Sequence, residues 1–156
     1  MTRSGFGNRR QQGVAMVEFA IALPLLLLLL LGIAEFGRLL VQYNSLLQAS
    51  RDAGRYVAGK VWNRTLGEMT LSDQLLTETR HVAVYGLPRN TGAPVVPGLS
   101  LADVQVSPVA GTTDHVQVRI GYTFRPVIGS ALPALFTGQG LSLEVPLAAT
   151  VVMRAL

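Results

Sequence analysis

The chain has 156 residues, of which 49% are hydrophobic and only 14% charged; a soluble domain carries about 25% charged residues. It contains no Cys, which excludes a disulfide scaffold, a thiolate metal site, a catalytic thiol and Fe–S ligation, and its two His, His81 and His115, cannot form a zinc site without distant carboxylates. Arg3, Arg9 and Arg10, with no acid among residues 1–13, account for three of the four net positive charges, so no nucleic-acid partner is expected of the folded surface.

Residues 1–13 read as a basic leader. Val14 to Ala34, VAMVEFAIALPLLLLLLLGIA, hold a single charge, Glu18. As a helix this run spans about 31 Å, close to the roughly 30 Å hydrocarbon core of a bilayer. A buried core helix is the competing reading, but Leu25 to Leu31 have no polar face and a chain this short could hardly cover them. A cleaved secretory signal fits less well: the apolar run exceeds the usual h-region, and Glu35-Phe36-Gly37-Arg38 follows it instead of a small-residue cleavage site. The basic leader places the N-terminus in the cytoplasm and the rest of the chain outside.

Two residues inside the span stand out. Glu18 is a carboxylate in an apolar run, at a cost of a few kcal/mol that shrinks near the interface. It either snorkels to the headgroups or finds a partner. Gly13 ends the leader, and a cut after it would free an amine on Val14 that a Glu18 carboxylate of a neighbouring subunit could pair with. Pro24 removes one helix hydrogen bond and should kink the span.

The leader, Gly13 before the cut, Glu18 fifth after it, Phe19, Pro24, the Leu run and the exit Glu35-Phe36-Gly37-Arg38 together resemble the N-terminus of type IV-pilin-like proteins. The segment is most similar to the TadE-like minor pseudopilins of the tight-adherence (Tad, or Flp) pilus system, strongly over residues 9–60 and only in architecture beyond. The resemblance implies cleavage at Gly13–Val14 by a prepilin peptidase and a low-copy role in assembly of an adhesion pilus. It implies contact with the Tad inner-membrane platform and other pilin subunits, and a single-pass place in the inner membrane with the C-terminal domain periplasmic. Val14 stands where major type IV pilins carry Phe, so N-methylation is not carried over. The alternative function is an uncleaved, membrane-anchored periplasmic binding or scaffold module.

Beyond the span the helix should continue as an amphipathic stalk over residues 35–59, with Phe36, Leu39, Leu40, Tyr43, Leu46, Leu47, Ala53 and Val57 at three- and four-residue steps and Gly59 near its cap. That stripe is expected to pack on the chain's own domain, partner helices being the alternative. Residues 60–156 form the domain. Residues 60–72 read as a connection with Trp62 as its core anchor. Asp73 to Tyr85 is a second helix with Ser72 as N-cap, an apolar face of Leu75, Leu76, Thr79, Val82 and Ala83, and a stop at Gly86 and Pro88. Residues 87–100 are a Pro/Gly loop.

Strict alternation follows. Val104 and Val106 lie on one side, then Val116, Val118, Ile120, Tyr122 and Phe124 after a turn at 111–114. A third run goes from Leu141 to Met153, with Pro146 marking an edge or bulge. Residues 125–140 are apolar but broken by Pro126, Gly129 and Pro133. The predicted class is therefore α+β and pilin-like: a long N-terminal helix, a short second helix and an antiparallel sheet of about three strands.

The scattered acids match no acid–base or metal spacing, and no nucleophile elbow, P-loop or dinucleotide fingerprint occurs. Neither an enzymatic activity nor a cofactor or small-molecule substrate is expected. Asp114-His115 reads as a solvated polar pair.

Overall fold

The structure is a computed structural model that describes residues 8–127, 131–132, 141–142 and 144–156. Residues 1–7 of the leader, most of the 125–140 segment and Leu143 lie outside the described residues.

Helix α1 runs from Asn8 to Ala58, unbroken through Pro24. Its C-terminal end is where the periodicity placed it, but its start is six residues earlier than the Val14 that the apolar run suggested. Propagation explains the difference. Once a long helix exists, each further residue gains one hydrogen bond without a new nucleation cost, and Arg and Gln are good helix formers. The chain divides after Arg38 into two compact units.

The second unit holds the remaining elements. A short ribbon pairs β1 (Trp62–Asn63) with β2 (Glu68–Met69), where the sequence suggested only a connection. The buried residue of this segment is Val61, while Trp62 is only half-buried, which corrects the expected anchor. The reason lies in the turn off α1: the Val61 N–H donates to the Val57 carbonyl, which carries that side chain into the core.

Helix α2 (Asp73–Tyr85) has both ends capped as its sequence requires. The Ser72 hydroxyl accepts from the Leu75 N–H at 3.2 Å. Gly86 takes the left-handed φ of +75° that only glycine adopts without strain, and its N–H donates to the Val82 carbonyl. Leu75, Thr79, Val82 and Ala83 are buried, as is Val84; Leu76 is half-buried. The buried Thr79 hydroxyl is satisfied by donating to the Leu75 carbonyl at 2.6 Å.

A short 3-10 turn (Leu101–Asp103) leads into the main sheet. Strands β3 (Val104–Pro108), β4 (His115–Phe124) and β7 (Val145–Arg154) form an antiparallel sheet in the order β3-β4-β7. Val118 pairs with Val106 on one side and Val151 on the other, so the alternating apolar positions share one face. The run expected as a single third strand is divided: Leu141–Ser142 (β6) pairs with Ala131–Leu132 (β5), and only Val145–Arg154 joins the sheet. Pro108 and Pro146 lie in the two outer strands of the sheet, as strand prolines must when they cannot donate to a ladder.

The core is built from Leu46, Ala49, Ala53 and Val57 of α1, Leu75, Val82, Ala83 and Val84 of α2, and Val104, Val116, Val118, Ile120 and Ala149 of the sheet. Leu47 is partly buried and packs against this cluster. The 87–100 loop contributes Val96 and Leu99, held by a Val95 N–H to Val84 carbonyl bond and by the Tyr122 hydroxyl donating to the Pro97 carbonyl at 2.9 Å. The stalk stripe is therefore only half as long as its periodicity, because Phe36 and Leu40 are exposed.

The tightest contact involves a residue with no side chain. A Cβ built on Gly54 would meet Val151 Cγ1 at 2.9 Å and Met153 Cε at 3.3 Å. Val151 is β-branched and cannot swing away easily. Gly54→Val should therefore lower the unfolding free energy by about 1–3 kcal/mol, the usual cost of overpacking. Val151→Ala in the same chain should recover part of that loss. A double-mutant cycle on detergent-solubilised protein, followed by urea unfolding, checks it; strict additivity would mean the two residues do not touch.

Candidate functional site

Leu25 to Leu31 are between 41% and 72% exposed, and Ile21 and Ile33 are exposed at 73% and 66%. Among the described residues, none covers them. Apolar surface of this extent is stable only in a non-aqueous setting or against a partner. Gly13, at the start of this face, lies inside α1, and a Cβ placed on it would meet nothing within 4 Å. Val14 and Phe19 are 61% and 60% exposed, and Glu18 is exposed with them. Pro24 has no N–H to give the Ala20 carbonyl, and the turns on either side keep the helix continuous.

At the end of the apolar run, Arg38 closes on Glu35, its Nη2 2.9 Å and its Nε 3.1 Å from the same carboxylate oxygen. The i,i+3 spacing puts the two on one helix face, so the two charges of the Glu35-Phe36-Gly37-Arg38 motif neutralise one another locally. Phe36 and Gly37 lie off this pair, and Phe36 is exposed.

Two polar clusters join parts of the second unit that are far apart in sequence. On the first, Lys60 Nζ donates to the Tyr56 hydroxyl at 2.6 Å and stacks 4.2 Å from the centre of that ring. The Tyr56 hydroxyl in turn donates to Glu78 Oε2 at 2.5 Å, and Gln74 Nε2 donates to Glu78 Oε1 at 2.9 Å. Hydrogen bonds from Tyr56, and next from Gln74, hold the Glu78 carboxyl below its usual range, and the Tyr56 bond raises Lys60. This cluster ties α1 to α2, and no local spacing announced it, since Tyr56 and Glu78 are 22 residues apart.

On the second, Asp114 Oδ1 lies 2.7 Å from His115 Nδ1, and Asp114 Oδ2 accepts from Arg154 Nε at 2.8 Å. The hydrogen bond from His115, followed by the Arg154 contacts, lowers the Asp114 carboxyl. The Ala155 N–H donates to the Asp114 carbonyl at 2.7 Å, so the β3–β4 turn is fastened to the end of β7. Asp114-His115 is thus a clasp between turn and strand. Among the described residues, no three or more His, Asp or Glu side chains gather where they could hold a metal ion.

Among the described residues one helix is apolar and long enough to cross a membrane, and, followed by a small α+β unit, it fits a chain with a single N-terminal membrane anchor. Residues 13–55 are similar to the family of TadE-like proteins, a match that covers the apolar and stalk parts of α1 and leaves the rest of the chain unmatched. No curated protein and no solved structure matches the chain.

The carboxyl shifts set a pH dependence. Glu78 and Asp114 both have folded-state values depressed below those of the unfolded chain. Their contribution is complete above the unfolded value and is lost as pH falls through the folded one. The unfolding midpoint should therefore drop on acidification below roughly pH 4. Lys60, being raised, has the opposite sign: its contribution is full below roughly pH 10 and fades above it. Tyr56→Phe should flatten both limbs, leaving the acid limb to Asp114 and to the remaining Gln74 and Lys60 contacts of Glu78. Denaturant midpoints across the pH range, wild type against variant, provide the check.

Proposed function

We propose that the protein is a minor pseudopilin-like component of Tad/Flp pilus assembly, cleaved after Gly13 by a prepilin peptidase and assembled through its N-terminal helix. The observation that carries this is the exposed apolar face of α1, which begins at the Gly13–Val14 bond and bears Glu18 one turn above Val14. In this reading the anchor lies in the inner membrane, the leader faces the cytoplasm and residues beyond the span face the periplasm, in line with the basic leader. Its partners are the peptidase, the Tad inner-membrane platform and other pilin subunits, and it acts by assembly rather than by catalysis.

The local physics supports each role. The Gly13–Val14 bond lies within a helix, and a peptidase needs the backbone opened around it. Glycine costs a helix interior about 1 kcal/mol relative to Ala, so Gly13 makes that opening easier as well as leaving least bulk in the cleft. Once the leader is gone, the Val14 amine and a Glu18 carboxylate on a neighbouring subunit are opposite charges in a medium of low dielectric. There pairing is strong and an unpaired charge is costly.

Gly13→Val meets no steric obstacle in the fold, since the space around Gly13 is open. In cells carrying a prepilin peptidase, the intact mass of membrane-extracted wild type should lack residues 1–13, while this variant should keep them. A wild-type protein that retains its leader there would leave the uncleaved anchor module as the better reading.

Glu18→Ala should insert into the membrane at least as well as wild type, because it removes a charge from the apolar run. Pilus yield from a strain making only this variant should fall. Undiminished yield would assign Glu18 to snorkelling at the headgroups and remove its role in subunit contact.

A further inference from the structure

Apolar exposure on α1 does not end where the apolar composition ends. Past Ala34, Phe36, Leu40 and Val41 remain 61%, 44% and 65% exposed, as Ile33 is at 66%. At 100° per residue these four fall on one side of the helix. Asn44, Gln48, Arg51 and Arg55, all exposed, follow on that same side. The switch from apolar to polar on this face therefore comes between Val41 and Asn44, two turns later than the composition suggested.

The opposite side behaves differently. It carries Glu35 and Arg38, joined to each other, and then Gln42 before the buried Leu46, Ala49, Ala53 and Val57 begin. Over residues 33–41 α1 is thus apolar on its exposed side and mixed on the other, where half-buried Leu39 stands beside Glu35 and Arg38, a pattern that neither water nor the hydrocarbon interior favours over its whole circumference.

We propose that residues 35–41 of α1 lie in the lipid headgroup layer, with Phe36, Leu40 and Val41 against the acyl-chain boundary and the Glu35–Arg38 pair on the polar side. Length supports a lipid occupant. From Val14 to Ala34 the helix covers the roughly 30 Å hydrocarbon core, and residues 35–41 extend about 10 Å further, enough to cross the polar layer of about 5–8 Å on that side. The apolar strip is continuous with the span, and the polar side chains start where the headgroups would end. The internal pairing of Glu35 with Arg38 leaves this stretch without net charge, which suits a layer less polar than water. The inference rests on the membrane-anchor reading and adds where the aqueous segment starts.

The chain lacks Cys, so a single introduced thiol gives one unique label. Full-length Leu28→Cys, Phe36→Cys, Leu40→Cys, Val41→Cys, Asn44→Cys and Gln48→Cys would each carry a nitroxide in vesicles of zwitterionic and anionic phospholipid. Collisions with oxygen, which partitions into lipid, are compared with collisions with a water-soluble nickel chelate. Oxygen should dominate at positions 28, 36, 40 and 41, and the chelate at 44 and 48. If 28 is lipid-exposed while 36, 40 and 41 report the chelate like 48, the headgroup placement is overturned and the anchor stands. Chelate dominance at 28 as well overturns both. Low collision with either reagent at 40 and 41 would mean that protein, such as a second copy, covers the strip, and would also overturn the proposal.

Discussion

The second unit of this protein depends on one face of one helix being covered. Leu46, Ala49, Ala53 and Val57 repeat at steps of three and four residues, and all are buried in one cluster with residues of α2 and the β3-β4-β7 sheet. The stretch is the end of a 51-residue helix, so what this burial decides is which face of it meets the rest of the unit. Gly54 belongs to the same constraint. By carrying no side chain it lets α1 approach Val151 and Met153 of β7 as closely as packing allows, and it accepts the helix penalty of glycine in exchange. Ser50, fully enclosed beside it, satisfies its hydroxyl by donating to the Leu47 carbonyl at 2.9 Å.

The polar groups of the unit follow from that contact. With α1 seated, Tyr56 stands within reach of Glu78 on α2, and Lys60 completes the chain of donors. The Asp114 clasp works likewise at the far side of the sheet, joining a turn to the last strand through Arg154 and the Ala155 N–H. Both clusters are near the surface, so their value lies in fixing which parts meet more than in adding stability.

The N-terminal part of α1 obeys the opposite requirement. Its side chains are apolar all round and covered by none of the described residues, which is the condition of a segment whose solvent is lipid or neighbouring helices. Against this background a single acid, Glu18, is expensive, and a glycine directly before the apolar run is a weak point in the helix. Both residues lie within 13–55, the stretch that is similar to TadE-like proteins.

Much of this was legible in the residue order, because the signals are local. A run without a polar face implies lipid, Ser72 and Gly86 mark the ends of α2, and the alternation Val116, Val118, Ile120, Phe124 implies a strand with one covered side. The candidate residues Gly13, Glu18, Pro24 and the Glu35–Arg38 motif were readable for the same reason, since each is defined by distance along one helix. What only the tertiary structure decided is nonlocal. Periodicity lists Phe36, Leu40, Leu46 and Val57 as equivalent members of a stripe, yet only the last two meet the sheet. Trp62 is the larger apolar residue, but the backbone bond of Val61 to Val57 gives the core position to its neighbour. The exclusion of a side chain at Gly54 and the pairing of Tyr56 with Glu78 likewise arise from segments brought together by folding, and a one-dimensional pattern holds no record of which faces will touch.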